Sequence, residues 1–311
     1  MKADNRHISR RVFSPQGCYP YLVWFMKKVI NKAGSSGKRY WYHVFKTFPW
    51  EPHKMGFMSH SKAEQAEVRE HIEKLMGAEC PSLTIEQDKF RRFLESREKA
   101  LGQWGSYDDP NYKKSLEYFL TLELIDFRET DTYIDIGSWF SPFPELIRSR
   151  VEKVYCQDLA YRQGFYQDQI GCSAAHIPLP DQSVDSMTLH CTFEHFEKNT
   201  DTLFIREAQR LLKPGGKCFI VPLYLDRDFI NLTDPSLFSL QRLELDQGAA
   251  IVRRFGFLNR FGRIYSPEEL VKRVISVAAG LQATVFWIRE VPWLPITRLI
   301  SFALMLERKS G

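Results

Sequence analysis

Apolar positions fall into two spacings along this chain of 311 residues. From Pro110 onward, stretches with apolar residues three and four apart alternate with short unbroken apolar runs. Asn111 to Phe127 (NYKKSLEYFLTLELIDF) has helical spacing, and TDTYIDIG, ending at Gly137, reads as a buried strand. Further apolar runs follow at Val151 to Cys156, Ser186 to Cys191, Cys218 to Leu225, Ala283 to Val291 and Leu299 to Leu306. Helical patterns over Pro142 to Arg150, Thr200 to Leu212 and Pro267 to Ala279 fall between them. Alternation of this kind predicts an α/β fold, a doubly wound and mostly parallel sheet with helices on both faces. The last two runs have no helix between them and are expected to pair antiparallel at the sheet's end.

Upstream of Pro110 the texture differs. Ser61 to Gly77 reads as a helix with a serine start and a glycine stop, and Ile85 to Leu101 as a second, charged one. Before these, Cys18 to Trp50 interleaves aromatics with cations around a flexible turn at Ala33 to Lys38. Its apolar run Tyr21 to Met26 is too short to span a bilayer. The first 60 residues hold eleven Lys and Arg against only Asp4 and Glu51, in a chain whose net charge is +5. The expected division is a basic, aromatic-rich, mainly helical region over 1–108 and an α/β domain over 109–311. Such a front suits a surface of anionic lipids. It also suits single-stranded nucleic acid, but no nucleic-acid module is recognisable, which weighs against that partner. Six cysteines without a CxxC pair fit neither a disulfide framework nor a zinc site, and the start lacks a signal-peptide core. A cytoplasmic location, peripheral to the membrane at most, is the expectation.

Candidate chemistry begins where the first strand of the α/β region ends. In an open parallel sheet the ligand sits beyond the carboxyl ends of the strands, where the strand order reverses. The loop there is DIGSWFSP, and Ser141-Pro142 reads as a helix start whose N–H groups would face a small anion. Trp139 and Ser141 stand where dinucleotide sites carry glycines, so a pyrophosphate is disfavoured. About twenty residues on, Asp158 ends the second strand, at the distance of an acid that accepts from a ribose diol.

Two longer stretches carry a family resemblance. CSAAHIPLPDQSVDSMTLHCTFEHF (Cys172 to Phe196) and REAQRLLKPGGKCFIVPLYL (Arg206 to Leu225) resemble the class I S-adenosylmethionine-dependent methyltransferases. So do the tail segments YSPEELVKRV, FWIREV and FALMLERK, in the family's order, and the likeness runs from about Asn111 to Lys309. It implies a Rossmann-like, seven-stranded sheet with an antiparallel last strand, and S-adenosylmethionine as cofactor. Asp135 and Gly137, with the loop through Ser138 and Ser141, would hold the methionine end. Asp158 would bind the ribose and Leu159 pack on the adenine. Ser173, with Ala174 beside it, stands where the family usually has an adenine-binding acid, and His190 would lie beneath the methionine moiety. Two motif glycines and that acid are absent, so a Trp139 pointing inward would close the site and leave a binding or scaffold protein.

For the acceptor, HCTFEHF matches none of the amino-methylating or cytosine-carbon motifs, and no clustered acids suggest a metal. Transfer to oxygen calls for a base, and His195 is the candidate; Tyr161 and Tyr224 lie in neighbouring loops. The segment Asp226 to Ile264 reads as an insertion over the acceptor side. Its Arg253, Arg254, Arg260 and Arg263 are candidates to grip an anionic substrate, or else form a solvated face. The expected acceptor is a small molecule, a saccharide or a lipid-linked glycan, with an RNA substrate as the rival reading.

Overall fold

The computed structural model describes residues 62–101, 113–139, 141–234, 243–254, 259–294 and 300–310. The basic aromatic stretch Cys18 to Trp50 therefore lies outside the described residues. The chain enters through helix α1 (Lys62–Met76), a two-residue strand β1 (Ser82–Leu83) and helices α2 (Gln87–Leu101) and α3 (Lys113–Leu124). Then come β2 (Thr132–Ile136), helix α4 (Phe143–Ile147), β3 (Lys153–Tyr166), β4 (Gln169–Gly171) and β5 (Val184–His190). Helix α5 (Thr200–Leu211) leads into β6 (Leu212–Val221), followed by three short strands β7 (Ile230–Thr233), β8 (Ala250–Arg253) and β9 (Gly262–Ile264). The short helix α6 (Pro267–Leu270), continued by the π-helical turn Val271–Ile275, precedes β10 (Leu281–Ile288) and β11 (Phe302–Arg308).

The main sheet runs β1-β10-β11-β6-β5-β2-β3-β4. β2 pairs parallel with both β3 and β5, and β5 with β6; β11 is antiparallel to β6 and to β10. This is the expected seven-stranded arrangement with the two-residue β1 added at the β10 edge. The last two strands pair as their sequence predicts. The short third strand, β4, has no apolar run of its own and was not legible.

Both faces of the sheet are buried, which is why its strands read as unbroken apolar runs. Side chains alternate between two cores. Ile134, Ile136, Cys218, Ile220, Phe302 and Leu304 pack with α1, α5 and α6 on one face. Tyr133, Phe219, Val221, Ala303 and Met305 pack with α2, α3 and α4 on the other. Polar pins set the register: Asp185, the last residue of the segment IPLPDQSVD, accepts from the Thr132 N–H at 2.7 Å and from the Lys213 ammonium at 2.6 Å.

The described part of the insertion is a second sheet, ordered β8-β7-β9. This corrects the reading of a cationic face for Arg260 and Arg263, while Arg253 stays exposed on β8. Arg263 is fully buried, paired with Asp246 at 2.7 Å and with the buried Asp201 at 3.1 Å. Its guanidinium also donates to the Phe196 and Lys198 carbonyls, so it ties the insertion to the loop after β5. Arg260 pairs with Glu197 at 2.9 Å. A buried guanidinium shared by two carboxylates cannot be removed without leaving uncompensated charge.

Arg263→Met is therefore expected to lower the free energy of unfolding by about 3–5 kcal/mol, read by equilibrium urea unfolding; a loss well below this would refute the network's role. Burial acts to raise the Asp246 carboxyl, but hydrogen bonds and charge from Arg263 outweigh it and hold it below the ordinary 3.8. With the folded value depressed, its contribution is complete above the ordinary value and is lost as pH falls through the lowered one. Asp246→Asn should remove that share of the acid-induced loss of stability in pH-dependent unfolding curves.

Candidate functional site

The strand order reverses between β3 and β5, on either side of β2, and a cleft of about 860 Å³ opens there at the strands' carboxyl ends. The loop after β2 forms its floor. Gly137 adopts φ +72°, and a Cβ at that position would overlap the Thr192 side chain. That left-handed turn brings the N–H groups of Gly137 and Ser138 onto the Gln157 carbonyl, at 2.8 and 3.0 Å. One residue on, the Trp139 N–H donates to Asp158 Oδ2 at 3.1 Å, while Asp158 Oδ1 accepts from the Ala160 N–H at 2.8 Å. An ionised carboxylate offers about four lone-pair positions, so half-buried Asp158 keeps acceptor capacity toward the cleft it lines. Leu159 beside it is 78 % exposed, an apolar surface without cover on the cleft wall.

Of the residues singled out from sequence, Gly137, Ser141, Asp158, Leu159, Ser173, Ala174, His190 and His195 line this one cleft. Asp135 and Ser138 are buried and are not among its lining residues. Ser138 Oγ donates to the Gln157 carbonyl and lies 3.2 Å from the Tyr161 hydroxyl. Burial pushes the Tyr161 phenol up to about 12, so it remains protonated near neutrality. Asp135 Oδ1 accepts from Thr188 at 3.0 Å and lies 3.5 Å from His190 Nδ1. Tyr224 reaches the cleft only indirectly, 4.0 Å from the Cys191 sulfur.

Trp139 lines the cleft without filling it. The residue is 39 % exposed and leans on Tyr161 at a ring separation of 5.2 Å. The helix start beside it departs from expectation. Helix α4 spans only Phe143–Ile147, Pro142 and Pro144 have no N–H, and the Phe143 N–H goes to Ser141 Oγ at 3.3 Å. Over Ser141 to Pro144, where the Ser141 N–H goes to the Ser138 carbonyl, no N–H is therefore left for an anion.

Sequence reading missed the opposite wall, which comes from α3. Lys114 and Tyr118 line the cleft there. The Lys114 ammonium donates to the His190 carbonyl at 2.8 Å and pairs with the fully buried Glu117 at 2.9 Å. Their one signal was the helical spacing of Asn111 to Phe127, which gave no hint of a partner 76 positions away. At the far end of the cleft, His195 sits in a tight turn after β5, with Nδ1 2.7 Å from the Phe261 carbonyl. A carbonyl only accepts, so Nδ1 carries the hydrogen and Nε2 the lone pair of the neutral ring.

Three buried polar atoms next to this cleft have no hydrogen-bond partner among the described residues: Asp135 Oδ2, His190 Nδ1 and the Tyr118 hydroxyl. Orphans of this kind are rare in native interiors and point to a ligand that supplies what the chain does not.

A doubly wound sheet in this strand order, with its cleft at the switch point, is the class I methyltransferase arrangement. Residues 135–220 match the family described as a methyltransferase domain. Residues 135–220 thus belong to a methyltransferase domain. Among solved structures it is similar to the complex between the Haloferax volcanii Trm112 methyltransferase activator and a methyltransferase (14 % identity, 73 % of this chain and 100 % of that one, TM-score 0.42). It is also similar to the Burkholderia thailandensis 1,6-didemethyltoxoflavin-N1-methyltransferase with bound 1,6-didemethyltoxoflavin and S-adenosylhomocysteine (13 %, 75 % and 95 %, TM-score 0.43). A third is an S-adenosylmethionine-dependent methyltransferase from Aquifex aeolicus (17 %, 67 % and 96 %, TM-score 0.38). No curated protein matches the sequence.

Gly137→Ala should test how far the cleft depends on the turn. Left-handed backbone costs an alanine about 1–2 kcal/mol, and the overlap with Thr192 adds to it. A lowered melting temperature by circular dichroism is expected, and an unchanged one would contradict this account of the turn.

Proposed function

We propose that this methyltransferase transfers a methyl group to a hydroxyl oxygen of a small molecule or saccharide, lipid-linked glycans included, with His195 as the base. One observation carries the choice of His195: its Nδ1–H is committed to the Phe261 carbonyl, which turns the basic Nε2 of a cleft-lining ring into the proton acceptor.

The same cleft supports the cofactor reading. Leu159 offers apolar cover for an adenine, Asp158 accepts from a ribose diol, and Ser173 and Ala174 stand at the adenine edge. The methionine end would lie over His190, with Asp135 beneath. S-adenosylmethionine supplies a methyl group on a positively charged sulfur, already activated for displacement. What remains for the chain is alignment of the acceptor oxygen behind that methyl and removal of its proton. His195 Nε2 would take the proton that the acceptor hydroxyl gives up on methylation.

The acceptor end is walled by Thr192, Phe196, Glu197, Thr200 and Asn259. Hydroxyl, amide and carboxylate groups beside an aromatic ring suit a polyol better than a phosphate. With Arg263 buried in ion pairs and Arg260 on Glu197, an anionic acceptor has less support than the sequence suggested. The exposed attitude of Trp139 favours an open site over the closed, non-catalytic alternative. No helix among the described residues is long and apolar enough to cross a membrane. Peripheral contact, in a cytoplasmic protein, would rest on the basic first 60 residues.

Calorimetric titration with S-adenosylmethionine and S-adenosylhomocysteine tests the cofactor site; micromolar binding, weakened at least about tenfold by Asp158→Ala through loss of charged hydrogen bonds, is expected. Absence of heat in folded protein would remove the reading. Once a labelled-methyl screen of glycosides yields an acceptor, His195→Gln should lower kcat by about 10²–10⁴-fold and leave cofactor affinity unchanged. An unaltered kcat would exclude His195 as the base. Flotation with anionic vesicles at low salt should carry the full chain upward, and recovery in the soluble fraction would dismiss membrane contact.

A further inference from the structure

We propose that the outer edge of the main sheet, at Phe165 and Tyr166, docks on an anionic membrane surface and holds the mouth of the cleft at the lipid headgroups. The inference rests on the reading of a lipid-linked glycan as the acceptor.

Strand β3 is 14 residues long, but β2 accompanies it only to Gln157. Beyond that point the chain makes an excursion. Asp158 and Gln163 both pair with Gly171, Gln157 and Phe165 both with Ile170, and Cys156 and Tyr166 both with Gln169. β4 therefore lies between the two halves of β3, and the second half, antiparallel to it in register, is the outer edge of the sheet. The halves are joined over Gly171, where a Cβ would overlap the Arg162 carbonyl. That joining loop includes Leu159 and Ala160, which line the cleft. Sheet edge and cleft mouth thus form one continuous rim.

Eight large hydrophobic residues are exposed among the described residues, and four of them, Trp139, Leu159, Phe165 and Tyr166, fall on this rim. Apolar surface gathered in this way marks an interaction site, whereas scattered exposure does not. Leu159 covers the adenine in the reading above, and Trp139 leans on Tyr161. The outward surface is therefore Phe165, 44 % exposed, and Tyr166, 41 % exposed.

The chemistry around these rings selects the partner. Leu159 to Gln167 holds no acid, and its one charge is Arg162, whose guanidinium lies 4.6 Å from the centre of the Tyr166 ring. Of the acids that flank the segment, Asp168 is paired with Arg148, and Asp158 accepts from the Trp139 and Ala160 N–H groups. Phe165 and Tyr166 are neighbours on a strand, so their rings leave it on opposite faces. Tyr155 packs edge-on against the first, and Arg162 lies over the second. An edge with a ring on each face offers no flat surface to a protein. It can enter a headgroup layer edge-on, with the tyrosine hydroxyl and the guanidinium kept at the polar level. The first 60 residues, with eleven Lys and Arg against Asp4 and Glu51, add attraction to an anionic leaflet. Docked this way, the rim brings the cleft to the level at which a lipid-linked glycan presents its hydroxyls.

The test is co-sedimentation of the full chain with vesicles of phosphatidylcholine alone and of phosphatidylcholine with phosphatidylglycerol. Wild type is compared with the double substitution Phe165→Ser, Tyr166→Ser. Wild type should pellet with the anionic vesicles only, and the double substitution should lower the partition coefficient about tenfold or more as apolar area is withdrawn from the bilayer. Neither residue lines the cleft, so S-adenosylhomocysteine should bind both proteins alike in calorimetry. Binding to neutral vesicles as well, or equal partitioning of the two proteins, overturns the proposal. Hydrogen–deuterium exchange on wild type is independent of the variant's folding: anionic vesicles should slow exchange over residues 159–167, and an unchanged rate there overturns the docking edge. An edge that instead joins two copies of the chain would give a dimer in sedimentation equilibrium without lipid, dissociated by the double substitution, and that result also overturns it. Wild type that ignores both vesicles removes the edge and the lipid-linked acceptor together. Its binding of S-adenosylhomocysteine and methylation of a water-soluble glycoside would still leave the transfer reading standing.

Discussion

The carbonyl of Gln157 accepts the N–H groups of both Gly137 and Ser138, and the rest of the site depends on that crossing from β3 to the turn after β2. It requires left-handed backbone at Gly137, with the Thr192 side chain packed where a Cβ would go. With the turn held there, the next N–H falls on Asp158, and the acid is fixed at the lip of the cleft. The same turn sets Trp139 against Tyr161 on the cleft wall. One glycine of the usual three therefore suffices for the geometry. The other two serve close approach of backbone to a diphosphate, which an amino-acid end does not demand.

The fold was legible because its determinants are local. Unbroken apolar runs reflect strands buried on both faces, and their alternation with helices dictates parallel crossovers. Asp158 and Leu159 drew attention because they directly follow an apolar run in sequence, although β3 continues through them to Tyr166. What escaped lies in tertiary contacts. β4 is three residues long, and the insertion's strands are three or four each, too short for a period to declare itself. The four insertion arginines looked alike in sequence. Only the fold distinguishes Arg263, sealed among Asp201 and Asp246, from Arg253 on an exposed strand. The helix start was misjudged through its second proline: Pro142 alone leaves other donors free, but Pro144 and the Ser141 hydroxyl dispose of the next ones.

These departures share a physical logic. The wall opposite the loop after β2 comes from α3, the helix that precedes β2, through Lys114 and Tyr118. Order on the acceptor side comes from the insertion, through Phe261 on His195 and Arg263 on the Phe196 and Lys198 carbonyls. The strands of the fold thus supply a scaffold and one acid, while the chemistry of both ends of the cleft is set by segments outside the core motifs. Function lodges in parts grafted on the fold, and substrate identity has to be read from those parts.

The most direct test of this account is a crystal structure of the protein with S-adenosylhomocysteine. The account predicts adenine against Leu159, ribose hydroxyls on the Asp158 carboxylate, and the homocysteine sulfur on the side of the cleft that His195 lines. A ligand seated elsewhere, or a cleft filled by Trp139 at saturating ligand, would contradict it.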